Sequence, residues 1–232
     1  MMTVLRSLAF HIGFFALTAL LAIAALPVLL GPPAWSRRLG SIWSGAVLWL
    51  ARNAAGLDYR IEGRLPDGPA IIAAKHQSAF DTYLFPAIRP ECVFVIKREL
   101  LRAPLVGWYL ARSGQISVDR GGSTNAMRQM LEQAQARLDE RLSLIIFPEG
   151  TRVAFGEPSA IKPGVSAIYR RMGMPVVPVA LDSGRYWARK SFLRRPGTIC
   201  VVIGEPIEPG LPRPEFEARL RSALDAASTD TP

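Results

Sequence analysis

Histidine and cysteine are scarce in this chain, with two of each among its 232 residues. His11 lies inside a long apolar segment, so His76 is the one imidazole placed for acid–base chemistry in water. Cys92 and Cys200 lie in separate strand-like runs and have neither a CxxC partner nor metal-ligand spacing. We therefore expect two buried thiols in a reducing compartment and no disulfide framework. The sequence predicts no metal site and no cofactor.

Acidic residues are also few, with 19 acidic side chains against 28 basic ones, a net charge of +9. Only four of the basic residues are lysines, Lys75, Lys97, Lys162 and Lys190, so arginine carries most of the positive charge. This balance indicates an anionic partner, which could be nucleic acid, acidic lipid or a phosphorylated substrate. Arginine suits phosphate because its planar guanidinium can bind two oxygens at once.

Polar residues are nearly absent from one long segment, Leu8 to Leu30, which only His11, Thr18 and Pro27 interrupt. Its 23 residues, at about 1.5 Å per residue, could cross a bilayer core of about 30 Å. A cleaved signal peptide is the rival interpretation, since Ala22-Ile23-Ala24 resembles a cleavage site. The apolar run continues past that point, which favours a membrane segment.

A second apolar stretch, Trp35 to Leu50, follows the helix-breaking Gly31-Pro32-Pro33 and holds three tryptophans, which suit a membrane–water interface. Two membrane arrangements remain open. One is a single span with the rest of the chain cytoplasmic by the positive-inside tendency. The other is a helical hairpin set into one leaflet, with arginines at headgroup level. A hairpin buried in the protein core is disfavoured because the first helix is apolar on every face.

Strand and helix patterns alternate from about Leu57 onward, which predicts an α/β fold with a mixed or mainly parallel sheet flanked by helices. Functional loops are then expected at the carboxyl ends of the strands. We divide the chain into membrane-anchoring helices over 1–55, a catalytic domain over 56–212, and a C-terminal helix and tail over 213–232. The length and the 50% hydrophobic content suit one domain with an appendage.

The first candidate site is the segment from Lys75 to Asp81, which follows the buried strand pattern Ile71–Ala74. Ser78 is predicted to cap a helix, with Asp81 at the third helical position. His76 and Asp81 could then face each other, and a carboxylate on one ring nitrogen leaves the other free as a base. This is a catalytic triad without its nucleophile, which fits a reaction whose nucleophile is a substrate hydroxyl. The non-catalytic alternative is an Asp that caps the helix beside a hydrogen-bonded His.

The second candidate site is Pro148-Glu149-Gly150-Thr151-Arg152, after the predicted strand Leu142–Phe147. Gly150 allows the backbone to approach a ligand, Thr151 supplies a hydroxyl and Arg152 can clamp a phosphate. Glu149 could accept bonds from a polyol or hold Arg152, and a surface turn with a local Glu–Arg pair is the alternative. A third feature is the basic loop from Arg185 to Arg195, which could meet lipid headgroups, coenzyme A phosphates, an acidic carrier protein or only solvent.

Four motifs together resemble the 1-acylglycerol-3-phosphate acyltransferase family, the glycerolipid acyltransferases. In chain order they are His76-x4-Asp81, Arg120, Phe147-Pro-Glu-Gly-Thr-Arg152 and Val177-Pro178-Val179. The resemblance covers roughly residues 60 to 210, and the first and third motifs are the specific ones. One departure is Lys75, where the family usually has Asn, and it bears on the acceptor substrate rather than on the chemistry.

The resemblance implies a glycerolipid-acyltransferase-like mixed sheet with an N-terminal membrane-embedded hairpin or span. It implies an acyl transfer from acyl-CoA or acyl carrier protein to the sn-2 hydroxyl of 1-acylglycerol 3-phosphate (lysophosphatidate), giving phosphatidic acid. His76 would be the general base, oriented by Asp81. The predicted substrate-binding residues are Lys97, Arg120, Glu149, Gly150, Thr151 and Arg152. The enzyme would work at the cell inner membrane, with its active domain on the cytoplasmic side and membrane phospholipid as a partner.

Three other functions are weighed against this one. Another lyso-lipid, such as a lyso-ornithine lipid, could be the acceptor. The chain could bind anionic lipid without catalysis, although binding alone needs no base such as His76. A nucleic-acid binder would have the charge, but the sequence has no zinc-ligand or RNP-like motif, and the apolar N-terminus speaks against it.

Overall fold

The computed structural model describes residues 1–119 and 124–225. The helices in these ranges are α1 Met2–Ala24, α2 Pro33–Leu50, α3 Phe80–Ile88, α4 Val106–Arg112, α5 Thr124–Asp139, α6 Pro163–Met172 and α7 Arg213–Asp225. The strands are β1 Leu57–Glu62, β2 Ile71–Ala74, β3 Cys92–Lys97, β4 Ile116–Val118, β5 Ser143–Ile146, β6 Val176–Leu181 and β7 Gly197–Ile203. Arg120, predicted to bind phosphate, and the tail after Asp225 lie outside the described residues.

The strands form one sheet in the order β1-β7-β6-β2-β5-β3-β4. Neighbouring strands are parallel except for β6 and β7, which are antiparallel. Five strands therefore run in one direction, and β1 and β7 run in the other at one edge. The predicted mixed, mainly parallel α/β sheet is confirmed, and the carboxyl ends of the five parallel strands meet at one edge.

Side chains of the short strand β2 alternate between two buried layers, since successive residues of a strand point to opposite faces. Ile72 and Ala74 pack into the core beneath α1, α2 and α3, whereas Ile71 and Ala73 pack into the core beneath α5, α6 and α7. Strand β2 is buried on both faces, as its continuous apolar pattern predicts. This alternation also decides where the polar residues that follow β2 point.

The first two helices form an antiparallel hairpin. Trp43 Nε1 donates to Thr18 Oγ1 at 3.0 Å, and a methyl placed on Gly13 would touch Leu50. The residue earlier in α1 thus contacts the residue later in α2, as in an antiparallel pair. The predicted apolar run to Leu30 is not one helix: α1 ends at Ala24, and a 3₁₀ turn covers Leu26–Leu30. Pro27 explains this end, because proline lacks an N–H and clashes with the preceding helical turn.

Helix α1 leaves most of its apolar surface exposed. Within the described residues it is the helix long and apolar enough to cross a membrane, and only 17% of its most apolar window is buried. Its buried residues are Ser7, Phe10 and Ala22, which face the protein. Such an exposed apolar helix suggests association with a membrane. The thiols of Cys92 and Cys200 are both buried and free, as predicted.

Candidate active site

Three of the predicted site segments follow neighbouring parallel strands. His76 comes two residues after β2, Lys97 ends β3, and the turn Phe147–Arg152 follows β5, which lies between β2 and β3 in the sheet. The carboxyl ends of parallel strands share one edge, so residues distant in sequence are brought together there. The predicted location of the functional loops is confirmed.

His76 and Asp81 face each other, with His76 Nδ1 3.1 Å from Asp81 Oδ2. An ionised carboxylate only accepts hydrogen bonds, so this contact assigns the imidazole proton to Nδ1. In the neutral imidazole the other ring nitrogen, Nε2, then has the lone pair that can accept a proton. His76 lines a large cavity, and its ring stacks on Phe147 with the ring centres 3.9 Å apart. The predicted contact is present, and the catalytic role of the pair remains a prediction.

The carboxylate of Asp81 is fully buried and surrounded by donors. Its Oδ2 accepts the backbone N–H groups of Gln77 at 2.7 Å and Ser78 at 2.8 Å, and its Oδ1 accepts Ser183 Oγ at 2.6 Å. Hydrogen bonds of this kind favour the ionised carboxylate and fix its orientation. Ser183, just after β6, is a partner that the sequence patterns did not reveal.

The start of α3 differs from the prediction. The helix begins at Phe80 after Ala79, so Asp81 is its second residue and not its third. Ser78 Oγ accepts the N–H of Phe80, the first helical residue, at 3.0 Å. A Ser at the cap position would accept the N–H of the second or third helical residue. Asp81 instead accepts the two N–H groups of Gln77 and Ser78, which precede the helix.

Glu149 does not hold Arg152, in contrast to one predicted role. Its Oε2 accepts the backbone N–H of His76 at 2.7 Å, and its Oε1 accepts Ser159 Oγ at 3.0 Å. The carboxyl is buried, and this burial raises its pKa to about 7. The hydrogen bond from the His76 backbone to Glu149 therefore joins the two candidate sites.

The turn around Gly150 closes the same junction. Gly150 has φ of +68°, a conformation that glycine adopts without steric cost, and its N–H donates to Phe147 O at 3.0 Å. The N–H of Val153 donates to His76 O at 2.8 Å. Thr151 is exposed, Arg152 is half-buried, and both line the cavity beside His76.

The cavity has a volume of about 1370 Å³ and a lining of two chemical kinds. Five cations line it: Arg37 of α2, and Lys97, Arg152, Lys162 and Arg189, which lie at or after the ends of strands β3, β5 and β6. Apolar or aromatic walls from the N-terminal hairpin and α4 include Leu21, Leu39, Trp43, Tyr109 and Leu110. His76 also lines this cavity. The space therefore suits a molecule with an anionic head and a long apolar chain.

Lys75 points away from this cavity. As the neighbour of His76, it has the opposite orientation, toward the layer of α5, α6 and α7. Its Nζ lies 2.5 Å from Asp225 Oδ1 at the end of α7, and the side chain is buried. The departure from the family pattern at Lys75 thus does not touch the space where a substrate would lie.

The basic loop divides into residues with different surroundings. Arg189 lines the cavity and donates to Arg152 O at 3.1 Å. Arg194 is buried, with its guanidinium 4.4 Å from the ring centre of Trp187, and burial lowers its pKa to about 10. Lys190 and Arg195 are exposed. The sequence did not indicate Arg189 as a cavity residue, because nothing in a loop's composition reports which cations turn inward.

Comparisons with known proteins give the family and the fold that this chain resembles. Residues 56–182 match the family model described as Acyltransferase. A 1-acyl-sn-glycerol-3-phosphate acyltransferase of Pseudomonas aeruginosa is 34% identical, covering 82% of this chain and 74% of that protein. A protein of the same description from Limnanthes alba is 31% identical, covering 83% and 71%. The fold is similar to the crystal structure of the acyltransferase PlsC from Thermotoga maritima, with a TM-score of 0.76, 20% identity, and coverage of 99% and 98%.

Proposed function

The chain belongs to the 1-acyl-sn-glycerol-3-phosphate acyltransferase family, and from that premise we propose how its residues perform the reaction. The enzyme converts lysophosphatidate to phosphatidic acid by transfer of an acyl group. One observation carries the residue assignments: the imidazole of His76, held by Asp81, borders a cavity lined both by cations and by apolar side chains.

In the proposed mechanism, His76 Nε2 takes the proton of the sn-2 hydroxyl while that oxygen attacks the thioester carbonyl of the donor. The tetrahedral intermediate then breaks its C–S bond, and the departing thiolate takes the proton from His76. Asp81 keeps the imidazole in the required tautomer and stabilises the imidazolium that forms between the two steps. Every proton is returned, so the site is ready for another turnover.

No side chain of the enzyme needs to act as the nucleophile, because a thioester is already activated toward an alcohol. The two nearest serine hydroxyls already have partners. Ser78 Oγ accepts the N–H of Phe80 and lies 3.3 Å from Asp81 Oδ1, and Ser183 Oγ donates to the same carboxylate oxygen. Both serines are buried, so they support Asp81 and do not contact the donor.

The substrate phosphate binds among the cations that line the cavity. Lys97 and Arg152 are the described residues that we assigned there from sequence, and Lys162 and Arg189 add two more positive charges. Arg120 belongs to the same proposal from its motif alone. Gly150 and Thr151 border the glycerol, whereas Glu149 is a positioning residue because its carboxylate already binds His76 and Ser159. Acyl chains contact the apolar walls, and acyl-CoA or acyl carrier protein is the donor.

We further propose that the N-terminal hairpin lies in one leaflet instead of crossing the bilayer. Both ends of α1 are attached to the protein: Arg194 N–H donates to Ser7 Oγ at 2.8 Å, and Tyr109 OH donates to Ala22 O at 2.8 Å. A helix attached along its length cannot leave the domain to span the bilayer alone. Residues 1–55 would anchor the domain of 56–212 at the cell inner membrane on its cytoplasmic side.

The described part of the C-terminal unit, residues 213–225, packs on that domain. Phe216, Leu220 and Leu224 of α7 are buried in the same core as strand β2. Strand β6 contributes Val176 to that core and lies beside β2 in the sheet.

The function is tested by supplying the purified chain with labelled acyl-CoA or acyl carrier protein and a panel of lyso-lipids. We expect phosphatidic acid from lysophosphatidate, with donor thiol released only when the acceptor is present. Acylation of a lyso-ornithine lipid with lysophosphatidate left unchanged would replace the acceptor in this proposal. Binding of anionic lipid without any acceptor-dependent thiol release would refute catalysis altogether.

A further inference from the structure

The loop of residues 188–195 is attached to the first three turns of α1. The backbone N–H of Arg194 donates to Ser7 Oγ at 2.8 Å, and Arg194 Nη2 lies 3.3 Å from His11 Nε2. The ring of Phe192 stacks on the imidazole of His11, with ring centres 4.7 Å apart. These contacts join residues more than 180 positions apart in the sequence. The loop therefore keeps a defined position beside α1.

This attachment places Phe192 next to the exposed apolar side of α1. Leu8 and Phe15 lie three residues before and four residues after His11, so all three share one face of the helix. Leu8 is 45% exposed, Phe15 is 65% exposed and Phe192 is 47% exposed. An exposed phenylalanine that stacks beside an exposed apolar helix extends the same apolar surface.

Three exposed cations belong to the same two segments: Arg6 of α1, and Lys190 and Arg195 of the loop. A methyl placed on Gly56 would lie 3.4 Å from Arg6 Nη1 and 3.3 Å from Pro196, so the Arg6 guanidinium ends close to the residue that follows Arg195. Across residues 1–119 and 124–225, the ion pairs found use none of these three side chains.

Two exposed arginines of α7 have acidic partners, whereas Arg170 and Arg171 of α6, like the three cations of α1 and the loop, take part in none of the ion pairs of the described residues. Arg213 pairs with Glu217 at 2.7 Å, and Arg219 pairs with Glu215 at 2.8 Å, both on α7 at the other face of the sheet. The positive charge beside α1 is therefore uncompensated within the described residues, whereas the positive charge of α7 is balanced. Uncompensated cations beside an apolar surface match the two layers of an anionic bilayer, its headgroups and its acyl chains.

We propose that the loop 188–195 and the first turns of α1 together form a surface that binds an anionic lipid bilayer. Phe192 enters the interface beside α1, and Arg6, Lys190 and Arg195 contact lipid phosphates. Arg194 is excluded from this contact because it is buried against Phe10 and Trp187, where it holds the loop in place. The inference rests on the proposed membrane association of α1 and is independent of the acyl-transfer reaction.

Lys190 and Arg195 have positions that separate this role from donor binding. Neither lines the cavity that holds His76, whereas Arg189, next in sequence, does. A coenzyme A phosphate or an acidic carrier protein must approach that cavity to deliver its thioester. The two exposed cations belong instead to the loop that is attached to α1, the helix that would meet the lipid.

The test offers the full chain neutral phosphatidylcholine vesicles and vesicles with about one third phosphatidylglycerol, mixed and separable by size. Each cation near an anionic bilayer contributes about a fivefold preference. The double variant Lys190→Gln with Arg195→Gln should thus lose about 30-fold of the wild-type preference for anionic vesicles at low salt. High salt should remove the difference between the two proteins, because it screens surface charge. Phe192→Ala should weaken binding to both vesicle types alike.

The matched control is Arg170→Gln with Arg171→Gln, which removes the same charge from exposed residues of α6. Helix α6 packs on the other face of the sheet, so this control should keep the wild-type preference. An equal loss in the control would mean that net charge alone directs binding, and the proposal would fail. It would also fail if the loop variant kept its vesicle preference, or if its only defect were a higher KM for the acyl donor. Acyl transfer in detergent micelles, measured in parallel, reports on the reaction separately.

Discussion

Glu149 accepts the backbone N–H of His76 at 2.7 Å, although 73 positions separate the two residues. The contact joins the turn after β5 to the turn after β2, so the proposed phosphate-binding segment and the candidate base keep a fixed distance. The carboxyl of Glu149 is buried, which raises its pKa to about 7. The same carboxyl of Glu149 therefore bonds to the His76 backbone and has a pKa near neutral pH.

Replacement of Glu149 by Gln should retain much of the activity, whereas Glu149→Ala should lose about tenfold or more. A glutamine carbonyl can still accept the His76 N–H, but an alanine leaves that buried donor unpaired, at a cost of about 1–3 kcal/mol. The kcat of both variants with lysophosphatidate checks this. Equal activity of Ala and wild type would show that the contact does not position His76.

The raised pKa of Glu149 also predicts how stability depends on pH. Between the ordinary value of 4.5 and about 7, the folded chain holds a proton on Glu149 that the unfolded chain has lost. The free energy of unfolding should therefore fall as pH rises through this window, by up to about 3 kcal/mol. Glu149→Gln cannot titrate, so denaturant unfolding should show a flatter dependence for that variant from pH 5 to 7. A parallel dependence in both proteins would contradict the assignment.

Asp81→Asn should lower kcat by about 10² to 10⁴, because an amide can hold the imidazole in the wrong tautomer and cannot stabilise its charged form. Ser183→Ala is the matched comparison, since it removes one donor at 2.6 Å from Asp81 Oδ1 and leaves the carboxylate in place. We expect that variant to lose less than about tenfold. A larger defect in Ser183→Ala than in Asp81→Asn would mean that Ser183 itself contacts the substrate.

Arg152→Ala and Arg189→Ala should each raise the KM for lysophosphatidate by about 10- to 100-fold, the range expected for losing a charge-assisted hydrogen bond to phosphate. The KM for the acyl donor should change less. Lys190→Ala is the control, because Lys190 adjoins Arg189 in sequence but does not line the cavity. In detergent micelles it should behave as wild type. Loss of kcat with an unchanged KM in Arg152→Ala would argue against a phosphate-binding role.

Lys75→Asn should leave the choice of acceptor unchanged, since Lys75 does not line the cavity and its side chain is buried against Asp225. Asp225→Ala should lower the free energy of unfolding by about 1–3 kcal/mol, because it leaves the buried ammonium group without its partner at 2.5 Å. A lyso-lipid panel and denaturant unfolding measure the two effects. A changed acceptor profile in Lys75→Asn would place this residue in substrate selection after all.

Local patterns were sufficient for much of the fold. The predicted buried strand Ile71–Ala74 matches the observed bounds of β2, since all four residues are buried and each is β-branched or small. The predicted start of α3 was wrong by one residue. Asp81 accepts hydrogen bonds from the N–H groups of Gln77 and Ser78, which precede the helix, and helix propensities do not predict bonds of this kind.

The supporting contacts of the site could not be predicted in the same way. The bond from Ser183 to Asp81 spans 102 positions and the bond from Glu149 to His76 spans 73. Both depend on which strands become neighbours, and no single segment encodes that order. The inward direction of Arg189 depends likewise on its bond to the carbonyl of Arg152. The residue types indicated the possible chemistry, whereas the order of the strands in the sheet determines which of these residues lie together.

The most direct test of the account is the rate at which wild type and His76→Ala form phosphatidic acid from lysophosphatidate, with thermal unfolding measured on both proteins. Glu149 accepts a hydrogen bond from the backbone of His76 and not from its side chain. The His76→Ala variant should therefore fold with a similar Tm. We predict a rate about 10² to 10⁴ lower, the contribution expected of a general base. A folded His76→Ala enzyme that turns over at the wild-type rate would contradict the central claim.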